Sequence, residues 1–416
     1  MLVTIKSDGR GKIVASMSLP DLHVTLADEG DTLMVELGEI LSNNLQELRS
    51  KLFPPNSQKG LRSFSCAEAA KLIGVSDAYL RQISLEGKGP ELETTPTGRR
   101  LYTLRQINEI RELLDVGGGA RRYVKRRRDG EKLQVIAVSG FKGGIGKTIH
   151  SAHLAQYLAL QGYRVLAIDL DPQGSLSTMF GYHTETEVQP NDSLYGALRY
   201  DDERVQIEEI IRESYFDGVF FVPSSIHLME FEHATAVNRG VKGKTPFYKA
   251  LRVMLDRVEE NFDFVIFDCP PQLGYLTLSA LCAATTVIIP CHPQMLDVSS
   301  TSQYLLMAGD LLAVFRDFGL VLKYDAFRFL VTRFEPTDLP QQQMDTLMRR
   351  LCGEHVLKNA MLKTTAISDS SLSKQTLYEV ERTSFSRSTY DRAIAAMNAV
   401  NSEIEELLLA VWGRKA

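Results

Sequence analysis

The sequence predicts an α/β fold, a mostly parallel sheet flanked by helices, preceded by an α-helical block of winged helix-turn-helix pattern and by one amphipathic helix. Three observations carry this. From Leu133 onward, β-branched apolar runs alternate with helical stretches, as a parallel sheet requires. Between Phe64 and Asp115, helical stretches are punctuated by Gly74-Val75-Ser76 and by Gly87-Lys88-Gly89-Pro90. Ahead of both, Leu33, Leu37, Ile40, Leu41, Leu45 and Leu48 recur at three- and four-residue spacing.

A length of 416 residues exceeds one ordinary core, and the pattern divides it at residues 1–60, 61–116, 117–132 and 133–416. With 44% hydrophobic and 24% charged residues, the chain has the balance of a soluble globular protein. No apolar run reaches the roughly 18 residues of a membrane span, and the N-terminus MLVTIKSDGRGKIVASMSLPD lacks a signal-peptide stretch, so a cytoplasmic protein is expected. The five cysteines, Cys66, Cys269, Cys282, Cys291 and Cys352, form no CxxC pair, which argues against structural zinc and a disulfide framework.

Taken in order, the first helix spans about Gly30 to Leu52 and stops at Pro54-Pro55. Its apolar stripe needs a cover: another domain, a second copy in a homodimer, or its own chain. In the next block, Ser65 with Glu68 forms a capping box, and Ser76 or Asp77 caps a second helix through Tyr79, Leu80 and Ile83. A hairpin or wing bounded by Thr97-Gly98-Arg99-Arg100 follows, then a helix from Leu104 to Leu114. The phrases EAA, GVS, LRQ, GRR and QI resemble the winged helix-turn-helix of MerR-type regulators. That resemblance puts Arg81 and Gln82 on the recognition helix and Arg99 and Arg100 on the wing, as operator DNA contacts. Gly117-Gly118-Gly119 reads as a flexible joint. Beyond it, Arg121, Arg122, Lys125, Arg126, Arg127, Arg128 and Lys132 form a basic run on a chain of net charge -5. The run is either a phosphate-facing surface, with Arg126 and Arg127 as DNA contacts, or a solvated linker.

Gln134 to Ser139 is a strand-like run feeding Gly140-Phe-Lys-Gly-Gly-Ile-Gly-Lys-Thr, and Ile149 to Leu160 reads as a helix. Strand, glycine loop and helix is the setting of a Walker A phosphate cradle for ATP or ADP. Gly143, Gly144, Ile145, Gly146, Lys147, Thr148 and Ile149 are the binding residues. Successive backbone N–H groups point at phosphate oxygens, Lys147 reaches the β- and γ-phosphates, and the Thr148 hydroxyl serves Mg²⁺. Two more strands end in acids, Arg164 to Asp171 and Asp263 to Asp268. Asp268 is the expected Walker B acid at Mg²⁺; Asp171 is placed to orient the attacking water, while Asp169 reads as a strand-end cap.

Lys142 gives the loop a second lysine, and KGGIGKT with DLDPQG and FDCPP resembles the deviant Walker A of the ParA/MinD group of P-loop NTPases. The likeness narrows to RepA-type partition ATPases of repABC replicons through LFPP, AAKLIGVSDAYLRQISLEGKGP, DCPPQLGYLTLSALCAAT, HPQMLDV, LVTRFEP and RSTYDRAI. Ile149 departs from the second Thr of many relatives, and Ile145 replaces a smaller residue. The resemblance implies a weak Mg²⁺-dependent ATPase in which Lys142 reaches a partner subunit's phosphates, so that ATP closes a homodimer. That dimer would bind DNA nonspecifically on the nucleoid, with Arg328, Arg333 and Lys363 as candidate contacts. A ParB-type RepB partner on a centromere would stimulate hydrolysis, and the N-terminal block would repress its own operon.

Rival readings are a MinD-like membrane ATPase, a nitrogenase-reductase-like electron donor, and a repressor that only senses nucleotide. The C-terminal NSEIEELLLAVWGRKA is apolar enough for a membrane helix, but Glu403, Glu405 and Glu406 oppose anionic lipid, so packing on protein and no membrane partner is expected. The scattered thiols oppose an iron–sulfur cluster.

Overall fold

The computed structural model describes residues 2–7, 13–18, 30–52, 59–96, 98–116, 122–182, 184, 188–238, 245–367, 374–380 and 386–414. Pro54-Pro55, Thr97, Gly117-Gly118-Gly119 and Arg121 lie outside them, as do the side chains of Leu45 and Leu48. The chain forms two compact units, residues 1–60 and 61–416.

The first unit holds an antiparallel pair, β1 (Leu2–Ser7) and β2 (Ile13–Ser18), and helix α1 (Gly30–Leu52). The amphipathic spacing placed this helix correctly. Along it Met34, Val35, Leu37 and Leu41 are exposed, while Leu33 and Ile40 are half-buried.

The second unit opens with a helical block: β3 (Phe64–Ser65), α2 (Cys66–Ile73), α3 (Asp77–Leu85), β4 (Glu93–Thr94), β5 (Arg100–Tyr102) and α4 (Leu104–Asp115). Both halves of the Ser65–Glu68 capping box form, and Gly74 ends α2 at φ 87°, a left-handed turn that a side chain would strain. Ser76, not Asp77, caps α3. Thr103 and Gln106 cap α4 in the same reciprocal way. The three strands form a small antiparallel sheet in the order β3-β5-β4.

The main sheet has seven strands: β6 (Gln134–Val138), β7 (Val165–Asp169), β8 (Arg212–Glu213), β9 (Val219–Val222), β10 (Phe264–Asp268), β11 (Thr286–Cys291) and β12 (Ala326–Val331). Their order is β12-β11-β6-β10-β7-β9-β8, parallel except for the edge strand β8. The central strands are buried throughout, which is why they read as unbroken apolar runs rather than alternating ones. Helices of this unit include α5 (Lys147–Leu160), α6 (Ser175–Met179), α7 (Leu194–Leu198), α8 (Ile207–Ile210), α9 (Leu228–Asn238), α10 (Phe247–Leu255), α11 (Tyr275–Ala283), α12 (Met295–Asp317), α13 (Leu339–Cys352) and α14 (Arg387–Val411).

No boundary separates the helical block from the sheet. Phe64, Ala69, Leu80, Tyr102 and Ile107 share one apolar cluster with Leu158, Tyr163 and Phe216. Arg111 of α4 is buried and donates to the carbonyls of Leu72 and Leu160, both at 2.7 Å, the C-terminal ends of α2 and α5. Burial pushes its guanidinium down to about 10.

The described part of the basic run is strapped to the sheet domain. The Asp115 carboxylate accepts from the backbone N–H groups of Arg122, Tyr123 and Val124. Arg414 donates to the carbonyls of Lys125 and Arg126 and pairs with Glu131 at 2.5 Å. Lys125 pairs at 3.0 Å with Glu405, which also accepts from Tyr157 and Tyr163. The C-terminal helix α14 packs on its own unit as well. Ile404 and Leu408 are buried, and Trp412 stacks on Phe264 while donating to the Lys132 carbonyl. Among the described residues, no helix is long and apolar enough to cross a membrane.

Candidate active site

Three adjacent strands deliver the site. In register, β10 places Asp268 beside Val138 at the end of β6 and beside Asp169 at the end of β7. The glycine loop leaves β6 at Ser139 and enters α5 at Lys147. Gly144 and Gly146 sit at φ 73° and 90°, and no atom lies within 4 Å of a Cβ added there. Glycine is therefore dictated by backbone conformation, and the cradle in front of the loop is open. The loop's N–H groups and the N-terminus of α5 favour an anion there.

Lys147 donates to the Lys142 carbonyl at 2.8 Å. Burial lowers its pKa, while Asp268 and, more weakly, Asp171 work the other way. Asp268 is fully buried; burial pushes it up to about 6, against the hydroxyls of Thr148 and Ser151 and the charge of Lys147. Ser151 donates to its Oδ1 at 2.9 Å, whereas Oδ2 has no hydrogen-bond partner among the described residues. An unpaired buried carboxylate oxygen close to Thr148 fits a hydrated cation on a phosphate. No cluster of three or more His, Cys, Asp or Glu side chains suited to a metal occurs among the described residues, so phosphate oxygens and water must supply most of a cation's shell here.

Asp171 lies in the loop after β7, and its Oδ1 accepts from the Gln173 N–H at 3.0 Å. Asp169, expected only as a cap, anchors that loop. Its Oδ1 accepts from the Asp171 N–H at 3.1 Å, and its Oδ2 from the Ser177 N–H and hydroxyl, both at 2.8 Å. Burial and the neighbouring Asp268 push Asp169 up to about 8. Lys142 is half exposed and forms an ion pair with Asp297 of its own chain, in the first turn of α12.

Comparisons with known proteins give the family. An AAA domain family model matches residues 133–311. A protein of Rhizobium rhizogenes that carries the name replication protein A is 52% identical over 385 residues, covering 92% of this chain and 95% of its own. Protein SopA of Escherichia coli K12 is 30% identical over 365 residues, covering 85% and 90%.

The chain belongs to the ParA-type partition ATPases of repABC replicons.

A solved Partition Protein superposes with a TM-score of 0.60 at 20% identity, covering 87% of this chain and 98% of that one, a likeness of fold. In this ParA-type chain Gly143, Gly144, Ile145, Gly146, Lys147, Thr148 and Ile149 lie on one loop and helix start, with Asp268 at the end of β10 and Asp171 in the loop after β7. Ile145 is buried, with its Cδ1 3.3 Å from where a Cβ on Gly140 would stand, so it packs under the loop.

The expected DNA contacts divide. Arg81 is exposed and only 4.0 Å from Asp77, and Arg100 donates to the Arg81 carbonyl at 3.5 Å, so α3 and the β4–β5 wing converge. Arg99 is exposed beside them. The Gln82 amide is engaged by Glu86 at 2.7 Å. Arg126 and Arg127, also expected as DNA contacts, are both engaged within the chain. Arg126 pairs with Glu112 at 2.9 Å, and Arg127, with its side chain 9% exposed, donates to the carbonyls of Glu131 and Glu259. Of the other basic candidates, Lys363 pairs with Glu335 at 2.7 Å. Arg333, at φ 52°, donates to the Gly144 carbonyl at 3.1 Å and so braces the phosphate loop. Sequence reasoning gave Arg333 only a DNA contact and Asp169 only a cap, and gave Asp297 no task although the HPQMLDV phrase contains it.

Proposed function

We propose that this protein is an ATP-driven dimer switch for segregating its replicon, and that the two lysines of the phosphate loop divide the work. The observation that carries the reading is the placement of Lys147, Thr148 and Asp268 around one open glycine cradle, with Lys142 on its outer, half-exposed side. Lys147 neutralises the β- and γ-phosphates of its own subunit's ATP. Thr148 and Asp268 hold Mg²⁺, which when bound polarises the transferring phosphoryl group. Asp171 orients the attacking water, and Lys142 reaches the phosphates of a second copy, so charge is neutralised only when two subunits close. Hydrolysis is weak by design, because a switch must persist until a partner triggers it.

The helical block is read as a winged helix-turn-helix that binds operator DNA through Arg81, Arg99 and Arg100 and represses the chain's own operon, with Gln82 joining once released from Glu86. The ATP-bound dimer binds nucleoid DNA nonspecifically through basic residues of the ATPase region, and a ParB-type RepB protein on the centromere stimulates turnover. Packing of Ile404, Leu408 and Trp412 on the chain's own unit favours this over a membrane-positioning role.

Lys147→Ala and Asp268→Ala are each expected to lower ATP turnover by at least about a hundredfold and to destabilise the replicon. ATPase assays with and without DNA and a RepB-type protein, run beside plasmid-retention assays, test this. Normal retention with either variant defeats the reading. Stimulation by both DNA and the partner separates partition from simple repression.

A further inference from the structure

Asp297 has no part in holding phosphate, yet it is the residue that Lys142 meets. The carboxylate lies in the first turn of α12, a 23-residue helix whose N-terminus favours an anion. Its side chain is 8% exposed, whereas that of Lys142 is 47% exposed. Lys142 approaches from the solvent side at Oδ1. From the protein side, the Nδ1 of His292 lies 3.0 Å from Oδ2. The backbone fixes the position further: the Asp297 N–H donates to the Gln294 carbonyl, and the Thr301 hydroxyl donates to the Asp297 carbonyl. His292 follows β11 directly, so the acid is tied to both the sheet and the helix.

A lysine in this ion pair is not free to serve another subunit. A buried carboxylate that loses its cation is left with a desolvated charge and one hydrogen bond, which opposes release. A triphosphate carries several negative charges against the single charge of Asp297, so a second copy's nucleotide outbids the carboxylate only once the two subunits are close. We propose that Asp297, braced by His292, is an intrasubunit catch for Lys142 that raises the threshold for nucleotide-dependent dimer closure. The proposal rests on the dimer-switch reading above and adds to it the group that restrains the lysine in the single subunit.

Asp297→Asn keeps the shape and an acceptor for His292 while removing the charge. Two measurements on the full chain are needed. The first is acetylation of Lys142 by an N-hydroxysuccinimide ester, read by peptide mass spectrometry against exposed Lys358 as reference. Loss of the ion pair is expected to speed Lys142 labelling about threefold or more, because the paired side chain is held against Asp297 and shielded from the reagent. The second is the dimer dissociation constant by analytical ultracentrifugation with Mg²⁺ and a non-hydrolysable ATP analogue. It is expected to fall at least about fivefold. Asp297→Ser, carried alongside, guards against a fault peculiar to the Asn variant, and circular dichroism checks folding of both.

Unchanged Lys142 labelling overturns the catch. Faster labelling with a weaker dimer also overturns it, since Asp297 would then be presenting the lysine rather than withholding it. Failure of the wild-type chain to dimerise with the analogue defeats the dimer-switch reading. A wild type that dimerises but is matched by both variants defeats the catch alone. In the Lys142→Gln background, the effect of Asp297→Asn on labelling has no site to act on, and any remaining gain in dimer affinity counts against the proposal.

Discussion

Asp169 receives three hydrogen bonds at a position with almost no solvent exposure, and all three come from the segment carrying Asp171 and Ser177. Ser177 passes the order on, since its Oγ accepts from the Ser224 N–H at 2.9 Å, and the Ser224 hydroxyl donates to the Asp171 carbonyl at 2.5 Å. The acid that would meet water is thus aimed by one that never does. Replacing Asp169 by Ala strands one buried and one half-buried N–H group and a hydroxyl, and a stability loss of about 3 kcal/mol is expected. As a positioning residue, Asp169 acts through Asp171, so kcat should fall at least about tenfold while ATP affinity stays within about threefold. Urea titration and steady-state kinetics read both; equal losses in affinity and kcat would return Asp169 to a purely structural role. At this scale the sequence was legible where chemistry demands a residue type at fixed spacing, as in Lys147-Thr148 and the strand-final Asp268. It was opaque for Asp297 and Arg333, because their tasks arise from contacts across 155 and 189 positions of chain, which no local pattern encodes.

Helix α5 is the element that joins the parts. Its first residue is the phosphate lysine, and its last carbonyl, that of Leu160, accepts from Arg111. Arg111 also donates to Asn108 at 2.6 Å, and its guanidinium would lie 2.9 Å from a Cβ on Gly162, which sits at φ 96°. A buried cation here is compensated by the carbonyl ends of two helices, α2 and α5, and among the described residues no ion pair holds it. Arg111→Met keeps the stem volume but leaves those carbonyls unpaired, at an expected cost of about 3 kcal/mol. Hydrogen exchange at the α2 and α4 amides should then accelerate about a hundredfold, with smaller changes in β6 and β10. Uniform acceleration across the sheet would mean that the block and sheet unfold as one unit and that Arg111 is no local joint. The capping box of α2 was readable because it is a four-residue pattern, and the box of α4 found in the structure has the same pattern. The strap from Arg122 to Lys132 was not, since a basic run looks alike whether it faces solvent or is held by Asp115, Glu405 and Glu131.

Across the whole molecule, alternation of strand and helix disclosed the parallel sheet, whereas fusion of the helical block to it depended on which faces meet. The same burial that makes the core continuous traps ionisable groups, and these tie stability to pH in opposing ways. Burial pushes His150 down to about 3 and His153 down to about 4, so both are neutral when folded. Unfolded histidines titrate near about 6.5, so below that pH the unfolded chain binds protons that the folded chain refuses, and stability falls with acid. Asp169 and Asp268, raised to about 8 and about 6, do the reverse: the folded chain holds protons that the unfolded chain releases above about 4, which favours folding as pH falls through that window. Between about pH 4 and 6 the two effects oppose, so a wild-type titration alone would show little slope. Substitution of His150 separates them. His153 accepts from the Leu377 N–H at 3.1 Å, but neither ring nitrogen of His150 has a partner among the described residues. An apolar residue of similar size therefore costs His150 no hydrogen bond there. The stability difference between His150→Leu and wild type should be flat above about pH 6.5. Below it the variant should gain on wild type by about 1.4 kcal/mol per pH unit, down to about pH 4. Chemical denaturation at half-unit pH steps measures that difference directly. A pH-independent difference would show that His150 is already protonated when folded, or finds water, and the buried-neutral assignment would fall.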